Sequence, residues 1–297
     1  MKIQNPKCPI CESVESKQKN IYSGILNLQG NIDSRVYLCR DCRAYYLWPY
    51  ISDELISELY SESYFTGKSE SDGKLNVPSS NNDYEREFAA VRRDKFLETV
   101  ETLLEHNSNA KSILDIGAAT GDFLAIAREK KLITTGIELS SYASAIAKKK
   151  YDFEFHEVAV ADYQGSEKYD LIHMNHVFEH FGAPHQVLDR LESLLSNDGL
   201  IYVEVPFQFN LIEIVKYYLT RQRRPFDVFS LHHPIFYRPS TLKNIFSEHG
   251  FNCRSMNVFK WNRYPAVGLS GQIKKIMWFM ASLVGQGIVI EAIFYRK

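Results

Sequence analysis

Apolar positions recur along this chain with two different periods. Phe88, Val91, Phe96, Val100, Leu103 and Leu104 fall at helical spacing, so 83–105 is expected as a helix with one apolar face. Ile113, Leu114 and Ile116 form a short apolar run of the kind a strand covered on both faces needs. Phe123, Leu124, Ile126 and Ala127 return to helical spacing. Residues 133–137 and 155–160 read as the next two strands, 240–249 as a helix ended by Gly250, and 251–259 as a strand. The last two elements are expected as an amphipathic helix over 270–284 and a strand over 288–296. Nearer the start, Ser52 opens a short helix to Tyr60. Residues 61–82 are polar and rich in Ser, Asn, Gly and Asp, a loop or lid whose Tyr64 and Phe65 could fold over a ligand.

The segment 112–124 runs from strand through small-residue turn to helix. Gly117 and Gly121 bracket the turn, where side chains would obstruct a ligand and glycine permits unusual dihedrals. Strand, glycine loop and helix N-terminus together form a nucleotide cradle. Two carboxylates follow at fitting distances. Glu138 ends the second strand, where it can accept from both hydroxyls of a ribose. Asp162 follows the third, where it can accept from an adenine amino group.

The pattern Asp115-x-Gly117-x-x-x-Gly121 resembles the first motif of the class I S-adenosylmethionine-dependent methyltransferases, with Ala119 where that family usually has its middle glycine. Segments 169–180 and 194–206 look like that family's fourth and fifth strands with their flanks, and the resemblance spans roughly residues 84–297. It implies an α/β fold with a Rossmann-like, seven-stranded sheet. It also implies S-adenosylmethionine held by Asp115, Gly117, Ala118, Gly121, Glu138, Leu139, Asp162 and Asn175.

Composition narrows the picture. At 297 residues and 45% hydrophobic content the chain can bury a large core. A net charge of −1 gives no global attraction to nucleic acid or anionic lipid. No signal peptide is visible at the start, so a cytoplasmic location is expected. The longest apolar stretch, 276–294, carries Gln286 and Glu291 and is split by Gly285 and Gly287, so no transmembrane span is read there. Peripheral membrane contact through Lys274, Lys275, Trp278 and Phe279 is the alternative for its first half.

Four of the five cysteines form two knuckles, Cys8-x-x-Cys11 and Cys39-x-x-Cys42, separated by 27 residues. Two such pairs can close a tetrahedral, structural Zn²⁺ site that holds together a segment too short to fold on its core alone. Cys253 is isolated and reads as a small buried residue. Residues 1–48 hold seven basic against four acidic side chains, a mild excess that does not make a nucleic-acid footprint. The expected organisation is a zinc ribbon over 1–50, a helical linker and lid over 51–105, and the methyltransferase domain over 106–297 with a substrate insertion at 207–239.

That insertion carries Arg221, Arg223 and Arg224, then His232 and His233. Arginine forks bind phosphate bidentately, so Arg223 and Arg224, with Tyr64, Glu179 and His232, are candidate substrate residues. A cysteine quartet ahead of a class I domain is similar to the deoxysugar C-methyltransferases, which act on nucleotide-linked keto-sugars. His233 matches that family's general-base histidine; His232 and Ser230 stand where it has Glu and Tyr. That family carries a further C-terminal domain, and this chain stops after the core's last strand. The shorter zinc-ribbon relatives of bacterial surface-polysaccharide loci, and O-methylation of a sugar or nucleotide-sugar hydroxyl, are therefore expected. His233 is the first candidate base, followed by His180 and His176. His176, Glu179 and His180 could share one helical face. That grouping is similar to the metal-holding Glu-x-x-Glu-His segment of quinone O-methyltransferases, with His176 in place of the first Glu. C-methylation of a keto-sugar, RNA methylation and a non-catalytic binding module are the competing functions.

Overall fold

The computed structural model describes residues 6–26, 32–50, 84–220, 233–259, 280 and 283–297. The short helix over 52–60, the loop over 61–82, the arginine cluster and the greater part of the amphipathic segment 270–284 lie outside the described residues.

Two sheets are present among them. The first has four strands in the order β1-β2-β3-β8: β1 (Ser16–Leu26), β2 (Ile32–Cys39), β3 (Tyr45–Trp48) and β8 (Ile235–Phe236). All its pairings are antiparallel, from Ser16 opposite Cys39 to Tyr45 opposite Phe236. The second has six strands, adding β4 (Ser112–Ile116), β5 (Ile133–Ile137), β6 (Tyr169–Asn175), β7 (Leu195–Pro206), β9 (Phe251–Phe259) and β10 (Val289–Arg296), in the order β5-β4-β6-β7-β10-β9. The pairs β4–β5 and β4–β6 are parallel. At the start of β10, Ile288 accepts from Phe207 at the end of β7 and donates to Phe259 at the end of β9. A strand whose beginning meets two strand ends runs against both, so the sheet is mixed. This is the Rossmann-like α/β fold that the sequence predicts.

The expected third strand, 155–160, is reduced to one parallel bridge, Ile137 to His156. His156 donates to Gly136 and accepts from Glu138 (2.9 and 3.1 Å), and the chain then turns into a 3₁₀ segment, Val160–Asp162. The burial pattern explains the loss. Residues 156 and 157 are exposed and 158 and 159 half-buried, so no alternating face exists to pair further. The Phe155 ring lies over Gly136, in space that a side chain there would fill.

The chain forms two compact units. One comprises residues 52–177, 185–202 and 294–297. Its helices are α1 (Tyr84–His106), α2 (Asp122–Glu129), α3 (Ser141–Tyr151) and most of α4 (Pro184–Leu194). Phe96, Val100 and Leu103 are buried on α1, and the Phe96 ring meets Phe123 of α2 edge-on at 5.5 Å. These three residues of the apolar face read from the helical spacing are packed and Leu104 is half-buried, while the side chains of Phe88 and Val91 lie outside those described.

The other unit comprises residues 1–51, 178–184 and 203–293, with helices α5 (Leu211–Thr220) and α6 (Pro239–Glu248). Its first core is made by Val36, Leu38, Tyr45 and Leu47 of the four-stranded sheet together with Phe209 and Phe236. Tyr45 and Phe209 stack nearly parallel, 7° apart, with centroids at 4.2 Å, slightly closer than the roughly 4.5–7 Å usual for aromatic pairs. Residues far apart in sequence, 36–47 and 209–236, therefore share one core.

Candidate active site

In the first unit, β4 ends in a turn that the backbone itself closes. Gly117 and Ala118 donate to the Ile137 carbonyl at 2.8 and 3.1 Å, which bends the turn over the end of β5. Gly117, Ala119 and Gly121 all have positive φ, at 73°, 47° and 81°. Gly117 has a second reason to be glycine: a Cβ there would run into the Val177 side chain. Ala119 tolerates the left-handed region at some cost. Its N–H donates to Glu138 Oε2 at 2.8 Å, which holds it there.

Glu138 is the hub of this turn. Oε1 accepts from the Ser140 N–H at 2.8 Å, as Oε2 does from Ala119. Burial pushes its pKa up, opposed by the backbone N–H groups of Ser140, Ala119 and Leu139. A buried carboxylate at the end of the second strand has the acceptor chemistry that a vicinal diol needs. Beside it Leu139 is 39% exposed, an apolar surface fit for a purine face. Asn175 is half-buried at the end of β6, and Asp162 is exposed at the end of its 3₁₀ turn. Asp122 opens α2 and binds Lys150, Tyr151 and Thr120. Burial opposes its ionisation, but these three bonds prevail and hold its pKa below the usual carboxylate range.

Asp115 was expected among the cofactor residues; its carboxylate faces inward. Oδ1 lies 2.7 Å from His173 Nδ1, and both residues are at most 3% exposed. The His173 ring stacks on Phe123 at 3.5 Å and on Tyr202 at 5.1 Å. Burial pushes the Asp115 pKa up, opposed by His173. Sequence reasoning missed His173. Each of the two strands carries a buried polar residue, but only the β4–β6 register, which puts Asp115 opposite His173, shows that they pair. Two such residues must find each other, because an unpaired buried charge costs several kcal/mol.

In the second unit, Glu179, His180 and His233 come together. Glu179 Oε1 lies 4.0 Å from Nε2 of each histidine, and the rings of His180 and His233 meet at 4.7 Å. Glu179 is 1% exposed and His233 9%. Glu179 and His180 sit on a 3₁₀ turn, Phe178–His180, anchored by Phe178 against Tyr237 and Phe246 at 5.1 and 5.2 Å. Burial and the Glu179 charge push the Tyr237 hydroxyl well above the usual tyrosine range. His233 precedes β8. Pro234 accepts from Leu47 of β3 at 2.8 Å, and Ile235 and Phe236 pair with Tyr46 and Tyr45. The Gln208 side-chain nitrogen lies 2.8 Å from His233 Nδ1.

The shared helical face expected for His176, Glu179 and His180 does not form. The turn is three residues long, and exposed His176 precedes it in left-handed conformation, φ 54°. His233 stands with Glu179 and His180 instead. Tyr64, Arg223, Arg224 and His232 lie outside the described residues.

The four knuckle cysteines also converge. Cys8 and Cys42 Sγ lie 3.5 Å apart, as do Cys11 and Cys39, with no disulfide between them. The residue after each second cysteine is left-handed: Glu12 at φ 55° and Arg43 at φ 63°. The two knuckles thus repeat one backbone shape. Tetrahedral ligation at about 2.3 Å per thiolate spaces sulfurs by somewhat under 4 Å, so the quartet fits a divalent ion.

A mixed sheet with parallel strands β5, β4 and β6, a glycine turn opening a helix, and a buried carboxylate closing the second strand define a class I S-adenosylmethionine-dependent methyltransferase. The model of the methyltransferase-domain family matches residues 88–256, more than half of the chain, and the chain belongs to that family. Among relatives, it is 25% identical over 171 residues to a ubiquinone biosynthesis O-methyltransferase of Glaesserella parasuis serovar 5 (strain SH0165), covering 51% of this chain and 70% of that protein. In fold it resembles magnesium protoporphyrin IX methyltransferase from Synechocystis PCC 6803 with bound SAH: TM-score 0.55, 12% identity, 83% of this chain and 100% of that one. It also resembles a SAM-dependent methyltransferase from Archaeoglobus fulgidus: TM-score 0.50, 18% identity, 73% of this chain and 100% of that one.

Proposed function

We propose that this enzyme methylates a hydroxyl of a sugar, nucleotide- or carrier-linked, in bacterial surface-polysaccharide synthesis, with His233 as the base. The observation that carries this reading is the convergence of Glu179, His180 and His233 in one cluster. Bound S-adenosylmethionine supplies an electrophilic methyl group on a sulfonium. Gly117, Ala118 and Gly121 approach it by backbone, Glu138 takes the ribose hydroxyls, and Leu139, Asp162 and Asn175 flank the adenosine.

The acceptor oxygen forms its bond to the methyl carbon as the carbon–sulfur bond breaks, and the hydroxyl proton passes to His233 Nε2. For that, Nδ1 must carry the ring's own proton. Gln208 can accept it by presenting its amide oxygen, since the two ends of the amide are interchangeable by rotation. Glu179 stabilises the imidazolium that results. Tyr64, His232, Arg223 and Arg224 bind the sugar and its phosphate. Zinc on Cys8, Cys11, Cys39 and Cys42 is structural, because four thiolates leave no open position. The relative from Glaesserella parasuis is an O-methyltransferase, which favours oxygen over carbon as acceptor.

The test is incubation with S-adenosylmethionine and a panel of nucleotide sugars, read by mass spectrometry and by carbon–proton correlation of the new methyl. An O-linked methyl on a sugar is expected. A methyl on carbon, or turnover of quinols or RNA but no sugar, overturns the reading.

A further inference from the structure

We propose that Glu179, His180 and His233 form a binding site for a divalent transition-metal ion, and that metal held there closes His233 to proton transfer. The second half rests on His233 being the base; the first half does not. The three donor atoms lie within 4.8 Å of one another, and Glu179 Oε1 is 4.0 Å from each Nε2. Atoms at these separations lie on a circle of radius at most about 2.5 Å, and a metal wants about 2.0–2.2 Å to nitrogen or carboxylate oxygen. Small rotations of three side chains close that gap.

The donors are held where a metal needs them. Phe178 fixes the 3₁₀ turn beneath Glu179 and His180 by its contacts with Tyr237 and Phe246. The β3–β8 ladder fixes the chain just after His233. Gln208 lies against His233 Nδ1, on the far side of the ring from the donor nitrogen. That is where metal-ligating histidines find the partner that sets their tautomer. Two imidazoles and one carboxylate select Zn²⁺, Mn²⁺, Fe²⁺ or Co²⁺ over Mg²⁺ and Ca²⁺, which prefer oxygen ligands.

Ligation uses the Nε2 lone pair, and His233's proton then resides on Nδ1, donated to the Gln208 amide oxygen. The same lone pair cannot also receive a proton from an acceptor hydroxyl. Metal occupancy and methyl transfer therefore exclude each other.

The experiment uses the full chain purified with its own zinc, dialysed against Co²⁺ and analysed for bound metal. Wild type is expected to take up one Co²⁺ more than Glu179→Gln or His180→Ala. Its visible absorption should be that of nitrogen- and oxygen-bound cobalt without thiolate charge transfer. Gln208→Leu should bind Co²⁺ about tenfold to a hundredfold more weakly, as loss of an outer-shell partner does. Equal uptake by wild type and Glu179→Gln overturns the site. In parallel, Co²⁺ at saturation should abolish wild-type methyl transfer, and EDTA should restore it. Full turnover with Co²⁺ bound overturns the second half alone. If His233→Ala turns over normally yet has lost Co²⁺, the base assignment fails while the metal site stands.

Discussion

In the unit built on β4, the residues assigned to the cofactor lie chiefly between Asp115 and Leu139, and local rules place them: a buried strand, a glycine turn, a helix start. In the unit that holds the ribbon, Glu179, His180 and His233 come from two segments and are set in place by a third, β3. The first arrangement should therefore tolerate change elsewhere in the chain. The second depends on long-range pairing, so distant substitutions should disturb it most.

The sharpest way to break that contrast is Cys39→Ser. Cys39 is one of the four proposed zinc ligands, and zinc in ribbon-like peptides is worth about 10–16 kcal/mol of folding free energy, so its loss should unfold the four-stranded sheet and abolish methyl transfer. S-adenosylhomocysteine binding, measured by calorimetry, should survive. Loss of cofactor binding as well would show that the two units are not separable in this way.

His233→Ala should lower the rate about 10² to 10⁴-fold, the span of a general base, with cofactor affinity unchanged. An unaltered rate would move the role to His180 or leave positioning alone to do the work. His173→Ala probes the other unit's interior. It strands Asp115 without its partner and should cost about 3–5 kcal/mol of stability, read by denaturant unfolding. A small effect would mean that Asp115 is protonated in the fold. Glu138→Ala should weaken S-adenosylmethionine by about 1.5–3 kcal/mol, the worth of hydrogen bonds to a charged group. Because Glu138 also pins Ala119 and Ser140, an equal loss with a ribose-lacking analogue would reassign it to loop support.

These outcomes follow the line along which the sequence was legible. Apolar runs at 113–116 and 169–174 and the spacing of Gly117 and Gly121 are local signals, and the α/β fold could be read from them. The knuckles carried their spacing openly. Three things were not visible. The strand at 155–160 shrank to a bridge because Glu157 has no buried face to occupy. His173 hid because pairing across strands depends on register, which single segments do not show. The neighbour of Glu179 and His180 was sought at His176, four residues from His180. It lies at His233, which is distant in sequence and is brought there where β8, paired with β3, meets the 3₁₀ turn Phe178–His180.

That ladder is two residues long, yet it binds the fate of the ribbon to that of residue 233. In descent, trading the N-terminal segment for another module, or losing it, would remove the strand that pairs with the chain just after His233. Grafting the Glu179–His180–His233 cluster onto a different Rossmann-like scaffold would have to carry residues 6–50 along with 178–184 and 203–236. The ribbon and the cluster form one heritable part, though almost the whole cofactor domain lies between them in the chain.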